Sequence, residues 1–327
     1  MGLGARALVT TMTTSFLFPG QGSQKVGMGR ALADAFPSAK ALFAAADDAL
    51  GYALSKIIFD GPESDLQLTA NTQPAILTVS IAAWQELARA TGWTPSFVAG
   101  HSLGEYSALV CAGALSFTDA VRLVHLRGTF MQEAVPAGRG AMAAIIGLDA
   151  RAVEDICREA GDGDGEGTYV APANFNGAGQ VVVAGEKLGV ERAMTLAKAK
   201  GAKLVKALAV SAPFHCRLMQ PAADRLAREL ERVKVGAPTI PVVTNVEAQP
   251  CSDAGHLREL LVRQVTAPVR WEESVQALAA AGVTRAIEIG PGRVLTALVK
   301  RIAPSIELMN VEEPAAIAAA REKSQNV

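Results

Sequence analysis

Nowhere in this 327-residue chain does an apolar run reach the length needed to cross a bilayer, and the first residues lack the hydrophobic block of a secretory signal. Cysteine is scarce. Cys111, Cys157, Cys216 and Cys251 are scattered, with no CxxC or metal-ligand spacing, which argues against both a disulfide framework and a metal site. Three of them lie in apolar or helical surroundings as reduced packing residues, so a cytoplasmic location is expected. Neither charge dominates either: 31 Lys and Arg stand against 32 Asp and Glu, without a polybasic face. Nucleic acid and membrane surfaces are therefore not expected partners. Hydrophobic residues, by contrast, make up 50% of the chain, enough for a sizeable core. The length allows one large domain, or a large one with a smaller companion. Residues 1–11 read as a loose lead-in, with Met12 as an alternative start.

The most informative stretch is Phe97-Val98-Ala99-Gly100-His101-Ser102-Leu103-Gly104. Phe97, Val98 and Ala99 read as a buried strand, and Glu105-Tyr106-Ser107-Ala108-Leu109-Val110 opens a helical pattern. Strand, Gly-x-Ser-x-Gly, helix is the nucleophile-elbow order. Such a turn admits no side-chain bulk two residues before or after the serine. It lifts the Ser102 hydroxyl to a helix N-terminus, where backbone N–H groups favour developing negative charge.

Around it the chain alternates. Ser15-Phe16-Leu17-Phe18 is an apolar run delivered into the glycine-rich loop Pro19-Gly20-Gln21-Gly22-Ser23. Two helical segments follow, and Asn71-Thr72-Gln73-Pro74 supplies cap and first-turn residues for a third. Ser116-Phe117-Thr118-Asp119 is a capping box for a helix reaching about Ala134. Between 138 and 211 the pattern changes to strand 141–146, helix 149–159, strand 168–173, strand 180–184, helix 186–200 and strand 204–210. This β-α-β-β-α-β order predicts a ferredoxin-like subdomain, 138–211, inserted into a large subdomain, 12–137 and 212–313. Val242-Val243, 286–289 and 306–309 supply further strands. The expected fold is α/β, an α/β-hydrolase-like large domain with a mostly parallel sheet. The tail 314–327 reads as a weakly helical or disordered extension.

A serine needs a base. Of four histidines, His101 adjoins the nucleophile and suits a structural role, His125 sits mid-helix, and His256 lies in a polar stretch. His215 follows a strand and the turn at Pro213, which leaves it, by elimination, as the best base. No aspartate stands out as a third member. Arg127 falls on an apolar helical stripe with Ala120, Val124, Met131 and Ala134, a charge facing inward. It could pair with one of the chain's own carboxylates, or grip a carboxylate on a substrate. Two motifs are set aside. The Gly-Asp alternation at 161–167 lacks the closing glutamate of a calcium loop. Gly290-Pro291-Gly292-Arg293 lacks the lysine and hydroxyl residue of a phosphate loop and reads as a tight turn.

Seven blocks in order resemble the bacterial malonyl-CoA:acyl carrier protein transacylases of type II fatty acid synthesis. They are Phe18-Pro19-Gly20-Gln21-Gly22-Ser23-Gln24, Asn71-Thr72-Gln73-Pro74-Ala75, Gly100-His101-Ser102-Leu103-Gly104-Glu105-Tyr106, the stretch 174–182, Pro213-Phe214-His215-Cys216, Gln264-Val265-Thr266-Ala267-Pro268-Val269-Arg270-Trp271, and Glu288-Ile289-Gly290-Pro291-Gly292. The resemblance implies Ser102 as nucleophile and His215 as base. It implies that the Gln264 main-chain carbonyl holds the histidine, and that the N–H groups of Gln21 and Leu103 form the oxyanion hole. Arg127 then meets the malonyl carboxylate, while Asn174 and Met131 line the cleft and Phe214 crowds an α-methyl branch.

The implied partners are malonyl-CoA, as substrate, and acyl carrier protein, acting on a monomer with no cofactor and no metal. Lys203, Lys206, Arg293, Lys300 and Arg301 are candidates for docking an acidic carrier, and a merely solvated basic face is the alternative. A stand-alone polyketide loading acyltransferase, a serine thioesterase or hydrolase, and a non-catalytic carrier-binding module remain as competing readings.

Overall fold

The structure, a computed structural model, describes residues 13–161, 168–210 and 212–325. The lead-in 1–11, Met12 and the acidic alternation at 162–167 lie outside the described residues. In chain order the strands are β1 (Thr14–Phe18), β2 (Phe97–Gly100), β3 (Gly140–Ile146), β4 (Val170–Gly177), β5 (Gln180–Glu186), β6 (Leu204–Ala207), β7 (Val242–Val243), β8 (Pro250–Cys251), β9 (Arg285–Ile289) and β10 (Glu307–Val311). The large sheet runs β10-β9-β1-β2-β7-β8. All its pairings are parallel except β7 with β8.

The period of two along β1 explains why both faces of this sheet need helices. Phe16 and Phe18 point into one apolar cluster, with Val98, Ile287 and Ile289. Leu17 points into the other, with Ala99, Val243 and Ala286. A strand buried on both sides reads as a continuous apolar run, as Ser15-Phe16-Leu17-Phe18 does. The carboxyl ends of β1, β2 and β7 therefore open on a common edge, the usual position for a site in an open parallel sheet.

The small sheet is ordered β4-β5-β3-β6 and is antiparallel throughout, in the expected β-α-β-β-α-β connectivity. Ala143 and Ile145 pack on its helices through Val153, Ile156 and Val190. Met142, Ala173, Val182 and Ala184 face the other way, into the main core. β4 is also tied to the large unit by backbone. Phe175 N–H donates to the Val269 carbonyl and Val269 N–H to that of Ala173, both at 2.9 Å.

One expectation needs correction and another is narrowed. The helix predicted from Asn71 begins earlier, at Thr69, and runs to Thr91 with Pro74 inside it. Proline has no N–H for the Ala70 carbonyl, and His125 Nδ1 sits 2.9 Å from that oxygen instead. The mid-helix histidine thus repairs a helix interrupted by proline. Of the two states expected for the tail, weak helix or disorder, the helix holds over its described length: Pro314–Gln325 is a helix that buries Ile317 and Ala320. These two, three residues apart, form a narrow apolar stripe against helix Thr69–Thr91.

Candidate active site

The serine sits where the sequence put it, between β2 and helix Gly104–Cys111. Its backbone is left-handed, with φ 53°. For a residue with a side chain that conformation costs on the order of 1–3 kcal/mol and persists only where its surroundings impose it. The surroundings are visible. A Cβ on Gly100 would fall on the Gly104 carbonyl, and one on Gly104 on the Phe18 carbonyl, so bulk is excluded on both sides of the turn. Ser102 N–H donates to Asn245 Oδ1 at 2.7 Å, and its carbonyl accepts from Gln264 Nε2 at 3.1 Å.

His215 comes from 113 positions downstream and is also left-handed, φ 58°. Its Nε2 lies 2.7 Å from Ser102 Oγ, and its Nδ1 lies 2.8 Å from the main-chain oxygen of Gln264. A carbonyl can only accept, so Nδ1 carries the proton and the Nε2 lone pair faces the serine hydroxyl. Burial, then the nearby Arg127 charge, pushes the imidazole pKa down to about 3, against the opposing pull of the Gln264 carbonyl. The ring is therefore neutral at pH 7 and able to take a proton from Ser102.

Arg127 projects from helix Phe117–Glu133 and is 1% exposed. Its neighbour Gly128 lets this helix approach helix Thr69–Thr91 so closely that a Cβ there would strike the Thr69 carbonyl. The guanidinium donates to Gln73 Oε1 at 2.7 Å, Gln264 Oε1 at 3.0 Å and Ser102 Oγ at 3.1 Å. Among the described residues it makes no ion pair with a carboxylate, so the internal salt bridge left open by the sequence is not formed. The Tyr106 ring lies 5.7 Å from its charged carbon. Burial lowers its pKa, yet an arginine begins so high that it stays cationic.

Ser102, His215 and Arg127 open on one cleft, which Gln21, Leu103, Met131, Asn174 and Phe214 also line. Leu103 caps the elbow helix, where N–H groups point outward. The five basic residues expected at a dock, Lys203, Lys206, Arg293, Lys300 and Arg301, lie outside the cleft and are exposed.

The sequence profile of the acyl transferase domain family matches residues 15–325. The chain belongs to that family. It is 52% identical to the malonyl CoA-acyl carrier protein transacylase of Salmonella typhimurium, over 94% of this chain and 98% of that one. The protein of the same name from Bacillus subtilis strain 168 is 50% identical, over 93% and 94%. Among solved structures, a malonyl-transacylase in complex with its type II PKS acyl-carrier protein superposes with a TM-score of 0.91 at 50% identity, covering 95% of this chain and 99% of that one. The malonyl CoA-acyl carrier protein transacylase of Coxiella burnetii gives 0.92 at 42%, covering 95% and 98%.

His101 has the structural role expected of it: half-buried in the cleft wall, it meets Asn176 Oδ1 of β4 at 2.8 Å through Nε2 and so links the two sheets. Other residues of this acyl transferase escaped sequence reasoning. Met142, Leu208 and Val210 add apolar lining from the small sheet and the chain after it. Gln73, Glu105 and Asn245 hold the polar groups. Glu105 carried a usable signal, an acid among the apolar residues opening the elbow helix, of the same kind that singled out Arg127. Asn245 carried none beyond its place after β7.

Proposed function

We propose that this acyltransferase moves the malonyl group of malonyl-CoA to the phosphopantetheine thiol of acyl carrier protein, through an ester on Ser102, and so supplies fatty acid synthesis. Ser102 Oγ attacks the thioester carbonyl as its proton passes to His215 Nε2. The oxyanion is met by the N–H groups of Gln21 and Leu103, each such donor being worth roughly 3–4 kcal/mol in the transition state. The tetrahedral adduct collapses, CoA leaves as its thiol with the proton from His215, and malonyl-serine remains. The carrier thiol then repeats the sequence in reverse. Both ends are thioesters, so one site serves both halves.

Arg127 meets the malonyl carboxylate, replacing contacts to neutral groups with a charge-assisted pair worth about 1.5–3 kcal/mol. Asn174 and Met131 shape the acyl pocket, and Phe214 crowds a branched acyl chain. The scheme requires no cofactor and no metal, because nucleophile, base, donors and cation are all side chains or backbone of the chain itself. A cytoplasmic monomer is the form in which we expect it to act. The single observation that carries this reading is a 2.7 Å serine–imidazole pair facing a buried arginine that makes no ion pair with a carboxylate among the described residues.

Carrier docking has structural support in the small sheet. Arg301 reaches Gln180 on β5 at 3.1 Å. Ile146 on β3 is paired with both Gln180 and Leu204 on β6, so Lys203 and Arg301 belong to the same end of that sheet. Two strand spacings, about 10 Å, separate the Gln180 that Arg301 reaches from Leu204, the neighbour of Lys203.

Intact mass after mixing with malonyl-CoA tests the reading. The wild type should gain one malonyl unit and Ser102→Ala none, and added carrier should discharge the ester to malonyl-carrier. Release of free malonate instead would favour a hydrolase. The type II PKS carrier bound to one structural relative makes supply of a polyketide carrier the second reading. Comparing rates with the two carriers separates them.

A further inference from the structure

Glu105 is fully buried, three residues after the nucleophile, and the chemistry above does not use it. Its Oε2 accepts from the backbone N–H of Asn245 at 2.8 Å and from Gln264 Nε2 at 2.9 Å. Its Oε1 has no hydrogen-bond partner among the described residues. The two groups it holds are the ones that fix the reacting pair. Asn245 Oδ1 takes the Ser102 N–H at 2.7 Å, and Asn245 Nδ2 donates to the Gly100 carbonyl at 2.7 Å. The Gln264 main chain holds His215, its Nε2 reaches the Ser102 carbonyl, and its Oε1 receives Arg127. Asn245 and Gln264 are themselves fully buried. One carboxylate oxygen thus joins three segments, the elbow helix, the end of β7 and helix Ala254–Thr266, at the point where nucleophile, base and arginine meet.

We propose that Glu105 is a positioning residue that fixes Ser102 and His215 relative to each other, acting through Asn245 and Gln264. What it supplies to Asn245 and Gln264 is a placed acceptor oxygen rather than a charge, because both are neutral N–H donors; the Arg127 charge is near it but makes no ion pair with it. A bond network of this kind holds reacting atoms to within a few tenths of an ångström, and a displacement of about 1 Å costs on the order of 100-fold in rate. The proposal rests on the acyl-serine reading for its chemistry but not on the identity of the acyl group.

Two conservative variants separate position from charge. Glu105→Gln keeps the arm length and an acceptor oxygen while removing the charge. Glu105→Asp keeps the charge but withdraws the oxygen by one methylene. Ester formation is measured by quenched mass analysis with malonyl-CoA, and again with p-nitrophenyl acetate, which needs the reacting pair but no carboxylate recognition. Rates are corrected for the folded fraction from near-UV circular dichroism.

Glu105→Gln should stay within about threefold of wild type in kcat. Glu105→Asp should fall about 30- to 100-fold in kcat with both acyl donors, while KM for malonyl-CoA moves less than about threefold. A purely structural brace would lower the folded fraction and leave the corrected kcat unchanged. An aspartate variant as fast as the glutamine variant, or faster, overturns the proposal. Should Glu105→Asp not fold, Asn245→Ala reads the same network, and an unchanged corrected kcat there overturns it as well. Failure of wild type to accept malonyl while p-nitrophenyl acetate still acylates Ser102 would count against the malonyl reading alone.

Discussion

The two walls of the cleft are built on different principles. The wall supplied by the large sheet is polar, buried and bonded through: Ser102, His215, Arg127, Gln264, Asn245 and Gln73 share one hydrogen-bonded set. The wall supplied by the small sheet and the chain after it is mostly apolar, with Met142, Leu208 and Val210, and its polar members are the asparagines Asn174 and Asn176. In the proposed mechanism the first wall places charge and protons, and the second excludes water and shapes the acyl pocket, a task that tolerates substitution. A parallel sheet with helices on both faces can deliver side chains from three strand ends to one point. A four-stranded antiparallel sheet leaning on it offers a lid-like surface.

If that contrast holds, the heaviest loss comes from the bonded wall. His215→Ala should lower the rate of ester formation at least about a thousandfold, with the fold intact by circular dichroism. Retention of a tenth of the activity would break the contrast at its strongest point. Arg127→Ala should cost malonyl transfer about 10- to 100-fold and raise acetyl transfer relative to it, read from the ratio of kcat/KM for the two CoA esters. An unchanged ratio would remove the carboxylate role.

The bonded wall should also leave a mark on stability. Burial holds the His215 pKa down to about 3, so its contribution is complete above about pH 6.5 and is lost as pH falls toward 3. Glu105 runs the other way. Burial raises its pKa to about 7, so its contribution is complete below the ordinary carboxylate value and is lost as pH rises toward 7. Between about pH 4.5 and 6.5 the two slopes oppose each other. Glu105→Gln removes one of them, and its stability relative to wild type should therefore rise with pH in that window, by up to about 1.4 kcal/mol per unit. Urea melts at pH 4.5, 5.5 and 6.5 measure this, and a difference independent of pH would contradict it.

The apolar wall should respond mildly. Leu208→Ala is expected to raise KM for malonyl-CoA about 3- to 10-fold while kcat stays within about twofold, since truncation removes apolar contact and no bonded partner. A collapse in kcat would show that this wall also places the reacting groups. The smallest effect belongs to the rim. Lys203→Glu with Lys300→Glu should raise KM for the carrier a few-fold at low salt, and the difference should fade as salt screens exposed charges. Transfer kinetics that ignore the double reversal at every ionic strength would remove the dock.

Read along the chain, the local physics was decisive wherever one segment carries its own instructions. The β1 and β2 runs, the small glycines around Ser102 and the β-α-β-β-α-β rhythm are set by side-chain period and by sterics within a few residues. These determine that there is an elbow, a parallel sheet and a second unit. The candidate base, too, could be named from sequence, because few histidines compete. What the sequence could not show is which distant groups would meet. Whether Arg127 faced a glutamate or a pair of glutamines depended on helices Thr69–Thr91 and Ala254–Thr266 bringing Gln73 and Gln264 to it from 54 and 137 positions away. The roles of Asn245 and Glu105 depended on β7 lying beside β2, a neighbour relation between residues about 140 positions apart. The helicity of the tail was likewise decided by the face of helix Thr69–Thr91 that waited for it. Periodicity acts over a turn or a strand, but hydrogen bonds in a buried site are satisfied by whatever the packed chain brings within 3 Å, and only the folded protein settles that.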